Sequence, residues 1–208
     1  MFSFDLLLTY TLACLIVIIS PGPDNILAIG RGLSQGRFAA LVTSAAAALG
    51  LMVHVCAASF GLALIIQTSQ LAFMAVKVIG AGYLIWLGFK ALRARDLVSF
   101  EASEVLSLRS VFWTGFLTNV LNPKPAVFIL AFIPQFIQVG EGAITFQMLL
   151  LGSWFAALAF LVFASLGCLA TRVSHWFKSR PRAVVGLNIG AGFTLIAAGL
   201  SIVTMEQK

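Results

Sequence analysis

The chain has 208 residues, 61% of them hydrophobic and only 10% charged, with a formal net charge of +6. Soluble domains run at about 45–50% apolar and about 25% charged. A soluble enzyme, a disordered chain and a nucleic-acid-binding domain are therefore excluded, and the apolar excess matches roughly 120 residues of membrane helix, enough for six crossings of about 20 residues each.

The first apolar run is Leu6–Ile29. No Lys or Arg precedes Arg31, so the run lacks the basic flank of a cleaved signal and reads as a retained span. It contains Ser20-Pro21-Gly22-Pro23-Asp24-Asn25, and two prolines around a glycine cannot continue a regular helix. The second and third runs are Phe38–Ile66, with His54, and Leu71–Leu92, with Lys77. A connection over Arg93–Ser110 follows, holding Asp96, Glu101 and Glu104; it reads as solvated chain or a surface helix with no chemistry. The fourth run, Val111–Ile137, is interrupted by Asn122-Pro123-Lys124-Pro125. Phe146–Ala170 and Val184–Val203 complete the set. The cysteines Cys14, Cys56 and Cys168 all fall inside apolar runs without a CxxC spacing and read as buried free thiols.

Lipid offers no partner to unpaired backbone, so each span is a helix or part of a closed barrel. Barrel strands alternate apolar and polar residues, and these runs do not. The expected fold is an all-α integral membrane protein of six transmembrane helices, a single membrane domain over 1–208. It divides into a three-helix half at 1–92, a cytoplasmic loop at 93–110 and a second half at 111–208. Arg31 and Arg37, then Lys90, Arg93, Arg95 and Arg109, then Arg172, Lys178, Arg180 and Arg182 fall in alternate connections. The positive-inside bias places those connections in the cytoplasm and both termini outside.

Three crossings per half invert the second half relative to the first. Interrupted helices at corresponding places in inverted halves point to a transporter's central site. The match in depth reads as loose, with the first break nearer the cytoplasmic end and the second nearer mid-span. Pro23 and Pro123 suit the first position of a restarting half-helix, and Asn122 suits its cap. Such an end presents free N–H groups and partial positive charge, a natural carboxylate site. Lys124 adds a full charge there, and Asp24 sits in the first turn after the other break. A charge at the bilayer centre costs about 2.5–3.5 kcal/mol and is a functional hypothesis by default.

The candidate substrate-binding residues are Asp24, Asn25, Asn119, Asn122 and Lys124. Pro21, Gly22, Pro23, Pro123 and Pro125 are the candidate break and gating residues, and Asp24, His54 and Lys77 the candidate proton-coupling residues. Each has a plainer reading. Proline kinks occur without ligands, Asp24 and Lys124 pair with each other, Lys77 snorkels outward, and His54 packs through a hydrogen bond although an imidazole can also relay protons. Small residues at Ala45–Ala48, Gly50, Gly80, Gly82, Gly186, Gly190 and Gly192 suggest close helix contacts, within one bundle or across a dimer face.

Ser20-Pro21-Gly22-Pro23, the tract Lys77–Gly88, Gly115–Lys124, Phe132-Ile133-Pro134-Gln135-Phe136 and the last span from Leu187 to Gly199 occur in an order and spacing that resemble the LysE/RhtB family of bacterial amino-acid exporters, the homoserine and threonine efflux proteins among them. The resemblance covers nearly the whole chain. It implies an inner-membrane exporter driven by the proton gradient, with an amino acid, protons and the lipid bilayer as partners, no cofactor and no metal, and it leaves a homodimer open. The expected function is efflux of homoserine, homoserine lactone, threonine or another neutral or basic amino acid by proton antiport. The alternatives are a passive channel or small-ion exporter, for which one carboxylate is a poor hard-cation site, and a membrane thiol reductase, for which facing cysteines are missing.

Overall fold

The computed structural model describes residues 2–20, 22–68, 70–93, 104–138, 140–179 and 181–204. Every regular element among the described residues is helical. Helix α1 spans Phe4–Ile19 and α2 spans Pro23–Thr68. Helices α3 (Gln70–Arg93), α4 (Leu108–Val120) and α5 (Pro123–Phe132) follow. A 3₁₀ turn at Ile133–Phe136 extends α5, and α6 (Ile144–Cys168), α7 (Ala170–Ser179) and α8 (Pro181–Thr204) close the chain. The segments Pro23–Gly61 and Ile144–Cys168 are each long and apolar enough to cross a membrane. Helix α4 and the segment Pro123–Phe136, bent by 48° at their junction, are long and apolar enough only when taken together as one broken segment.

Local chemistry sets the ends. Ser3 Oγ accepts from Leu6 N–H at the start of α1, and Ser107 Oγ accepts from Ser110 N–H at the start of α4. Both are caps that satisfy donors a helix start leaves orphaned. Within α2, Gly36 has φ 81° and ψ −174°, a conformation essentially reserved for glycine. The helix is thus two rods hinged at Gly36. The connection after the first run, which carries Arg31, is no loop but stays helical as far as Gln35, because nothing before Gly36 breaks it. The basic connection after α6 is likewise not an open loop. Its first ten residues form α7, whose His175 and Trp176 are exposed.

Helix α2 packs chiefly on α6 and α4, and α3 packs on α8. Between apolar helices in lipid, close van der Waals fit and hydrogen bonds carry association. A Cβ on Gly50 would stand 2.9 Å from Asn119 Cβ, so glycine is what lets α2 and α4 approach there. An aromatic cluster ties α1, α5 and α6: Tyr10 stacks on Phe132 and meets Phe136 edge-on, Phe128 stacks on Phe132, and the Tyr10 hydroxyl donates to Leu151 O at 2.9 Å. The outer surface carries large exposed apolar side chains, such as Leu12, Phe60, Trp154 and Phe193, as a lipid-facing wall requires.

Two expectations about packing are corrected. Cys14 is buried, but Cys56 is exposed and Cys168 half-exposed, all three as free thiols. In lipid an apolar run buries nothing by itself, and Cys56 faces outward. Among the described residues a Cβ at Gly186 or Gly82 would meet no atom within 4 Å, so neither marks a close helix approach. The close contacts of α8 come from Gly192 and Gly199 instead, where a Cβ would stand 2.8 Å from Gly88 O and Ala81 O respectively.

Candidate functional site

Helix α1 ends at Ile19, and the N–H of Ser20 returns to Ile16 O at 3.0 Å. Pro21 lies outside the described residues. Helix α2 then starts at Pro23, where a missing N–H costs nothing. The Asn25 amide reaches back across the break and donates to Ile18 O at 2.9 Å, satisfying a carbonyl that α1 leaves orphaned. The second break is built alike. Helix α4 ends at Val120, α5 starts at Pro123, and Asn122 caps α5 by accepting from Lys124 N–H at 3.0 Å.

The two breaks meet. Asn122 Nδ2 donates to Asp24 Oδ2 at 2.8 Å across 98 residues of sequence, and Lys124 Nζ donates to Ser20 O at 2.8 Å. These contacts bring the two breaks together, although residue counts along unevenly tilted helices place them at different points of their spans. The arrangement is electrostatically reciprocal. The ammonium sits on the carbonyl end of α1, and the carboxylate sits in the first turn of α2 beside the amino end of α5, each the favoured sign for its helix end. Both hydrogen bonds run to the opposite break and neither to the opposite charge. Asn119, Lys124 and His54 complete the polar surroundings of Asp24.

Satisfaction is incomplete. Asp24 Oδ1 and both amide atoms of Asn119 are buried without a hydrogen-bond partner. Asp24 is 7% exposed and Asn119 1%. An unmet buried polar group costs about 1–3 kcal/mol, so these atoms invite a ligand or water. They border a cavity lined also by Val17, Ile18, Leu51, Phe155 and Ala159. The cavity volume is about 20 Å³, room for about one water. An amino acid needs several times that space, so the cavity as it stands does not hold one.

The remaining candidates separate. His54 Nε2 contacts Asn119 O at 3.2 Å, which places it against the last turn of α4 rather than in the cavity lining. Pro125 is buried and lines the cavity. Gly22 lies over the Lys124 ammonium, and a Cβ there would meet Nζ at 3.6 Å, an ordinary contact. Helix α3 carries Lys77, whose side chain lies outside the described residues. Sequence reasoning missed Ser20, whose backbone carbonyl holds Lys124, and Gly50, which admits Asn119. No side-chain pattern marks a carbonyl, and in the sequence Gly50 is one small residue among several. Among the described residues no group of three or more His, Cys, Asp or Glu gathers as a metal site would. The site therefore offers one anion, one cation and neutral amides.

A family model described as LysE type translocator matches residues 15–206. The homoserine/homoserine lactone efflux protein of Salmonella typhimurium is 30% identical over 202 residues, covering 96% of this chain and 97% of its own. A leucine efflux protein of Klebsiella pneumoniae is 26% identical over 204 residues, with 96% and 95% covered. An uncharacterised membrane protein of Vibrio cholerae is 30% identical over 200 residues, with 96% and 97% covered. No solved structure matches.

Proposed function

The chain belongs to the LysE type translocator family, and from that premise we propose that it exports amino acids or close derivatives, of the homoserine, homoserine lactone, threonine or leucine kind, across the cytoplasmic membrane by proton antiport. In this reading the chain makes six crossings in two inverted halves. Helix α1 with the first rod of α2, and α4 with α5, are the broken spans, the basic connections are cytoplasmic and both termini outside.

The observation that carries the reading is the meeting of the two breaks around unsatisfied polar atoms. A zwitterion matches what is left over. Its ammonium suits Asp24 Oδ1, which has no partner. Its carboxylate suits Lys124 Nζ and the amino end of α5, in exchange for the Ser20 carbonyl now bound there. Asn119, with a free donor and a free acceptor, reads polar groups on the substrate. A protonated Asp24 holds an ammonium poorly, so proton and substrate exclude one another at that carboxyl. That exclusion is the physical requirement of antiport. The apolar lining of Val17, Ile18, Leu51 and Phe155 selects compact side chains.

Counterflow of labelled homoserine, threonine and leucine in proteoliposomes tests this. The parent exchanges at least one of them, while Lys124→Ala and Asp24→Asn variants that insert normally lose most of the rate. Efflux that persists undiminished after a protonophore collapses the gradient contradicts the antiport step and leaves a passive pore. Parental rates in both variants contradict the site.

A further inference from the structure

A second set of polar contacts joins the same two elements far from the cavity. Arg31 is only 4% exposed. Its Nη1 donates to Gln35 Oε1 at 2.9 Å and to the backbone carbonyl of Glu104. The Gln35 amide makes a two-way pair with Leu106, donating to its carbonyl at 2.7 Å and accepting from its N–H at 3.1 Å. Residues 104–107 run straight into α4, which Ser107 caps.

The rod of α2 that carries these residues is bounded by the break at 20–22 and by Gly36 with its φ of 81°. It is therefore a rigid lever about 20 Å long at 1.5 Å per residue, with a backbone break at each end, and its middle packs on α6 where Gly32 meets Gly167. One end is tied to the α4–α5 junction through Asp24 and Asn122. The other is tied to the start of α4 through Gln35 and Leu106. This lever and α4 run antiparallel and are fastened to each other at both ends.

We propose that Arg31 and Gln35 are positioning residues that latch the cytoplasmic end of this lever, and that their release from Glu104 and Leu106 opens the path by which substrate enters from inside the cell. The inference rests on the transport reading for its direction. The latch itself rests on the hydrogen bonds and the hinge. Its hydrogen bonds run to backbone groups of Glu104 and Leu106, and the Glu104 carboxylate adds attraction to Arg31, so changes at Arg31 and Gln35 break it while a change at the Glu104 side chain only weakens it. A protein whose binding-competent state is scarce binds with an affinity reduced by that scarcity. Loosening the latch therefore tightens apparent substrate binding from the cytoplasmic face while slowing the return to the closed state.

Two measurements test the latch in a chain freed of Cys14, Cys56 and Cys168 by alanine substitution. In the first, Gln35→Cys and Leu106→Cys are joined by a short bis-methanethiosulfonate linker. Counterflow is expected to fall below about a tenth of the unlinked rate and to recover when dithiothreitol cleaves the linker; undiminished exchange while linked overturns the proposal. In the second, Ala159→Cys reports the cavity by its labelling with a charged maleimide in inside-out vesicles. Adding Gln35→Ala or Arg31→Ala is expected to raise labelling at least about fivefold, the low end of ordinary conformational coupling, with Arg31→Lys partly restoring the parental value. Unchanged labelling in both variants overturns it. The labelling needs no transport, so a chain that exchanges no amino acid defeats the transport reading while the latch is still judged by its own readout.

Discussion

Asn122 does two jobs with one side chain. Its carbonyl oxygen caps α5 and its amide nitrogen holds Asp24. The two jobs separate under substitution. Asn122→Ser keeps a capping oxygen but is too short to reach the carboxylate. Asn122→Ala loses both, at about 1 kcal/mol for the cap and about 1–3 kcal/mol for a buried carboxylate oxygen stripped of its donor. Thermal unfolding in detergent is expected to rank parent above Asn122→Ser above Asn122→Ala; equal midpoints for the two variants deny the cap any share. Gly50 makes a second residue-scale case. Alanine there would press on Asn119 Oδ1 and Phe116 O, each 3.0 Å from the new carbon. Overpacking of this kind costs about 1–3 kcal/mol and displaces the free amide from the cavity. Gly50→Ala is expected to lower both the unfolding midpoint and the counterflow rate. Gly82→Ala, which meets nothing within 4 Å, is the matched control and is expected to change neither.

At the scale of helices, local rules were readable and distant ones were not. Proline at the first helical position and asparagine at the cap are properties of three or four neighbouring residues, so Pro23, Pro123 and Asn122 could be placed from the string alone. The approach of Asp24 to Asn122 spans 98 residues and depends on tilt, which no local pattern encodes. Gly36 was equally opaque, since a glycine in a basic stretch looks like loop until its backbone angles are known. Arg31 and Gln35 were hidden for the same reason: an arginine counted toward orientation gives no sign that it is buried. Cys56 shows the limit of hydropathy, which marks a run as apolar without telling its lipid face from its packed face. The hinge is itself testable. Gly36→Ala places a side chain in a conformation that costs about 1–3 kcal/mol outside glycine, with open space around it, so strain alone acts. The variant is expected to insert, to unfold at a lower temperature and to exchange substrate more slowly, while Gly61→Ala, also in open space within α2, stays near parental in both assays.

For the molecule as a whole the decisive question is which connections share a side of the membrane. Arg37, just past the hinge, and Arg172, at the start of α7, line one cavity together with Gly32 and Cys168. Two of the basic connections therefore gather on a single face, as charges do on the cytoplasmic side of a bilayer. In the six-span reading Ser3 and Ser179 are separated by five crossings and lie on opposite sides, and both are exposed. With the three native cysteines replaced by alanine, a membrane-impermeant maleimide is expected to modify a Ser3→Cys variant in intact cells. It is expected to modify a Ser179→Cys variant only in inside-out vesicles. Modification of both from the same side removes the odd number of crossings, and with it the inversion that brings two broken helices together head to head. The polar cluster of Asp24, Asn122 and Lys124 would then still exist as a packed feature, but it would have no alternating access to either compartment. An exporter needs that access more than any single contact within the site.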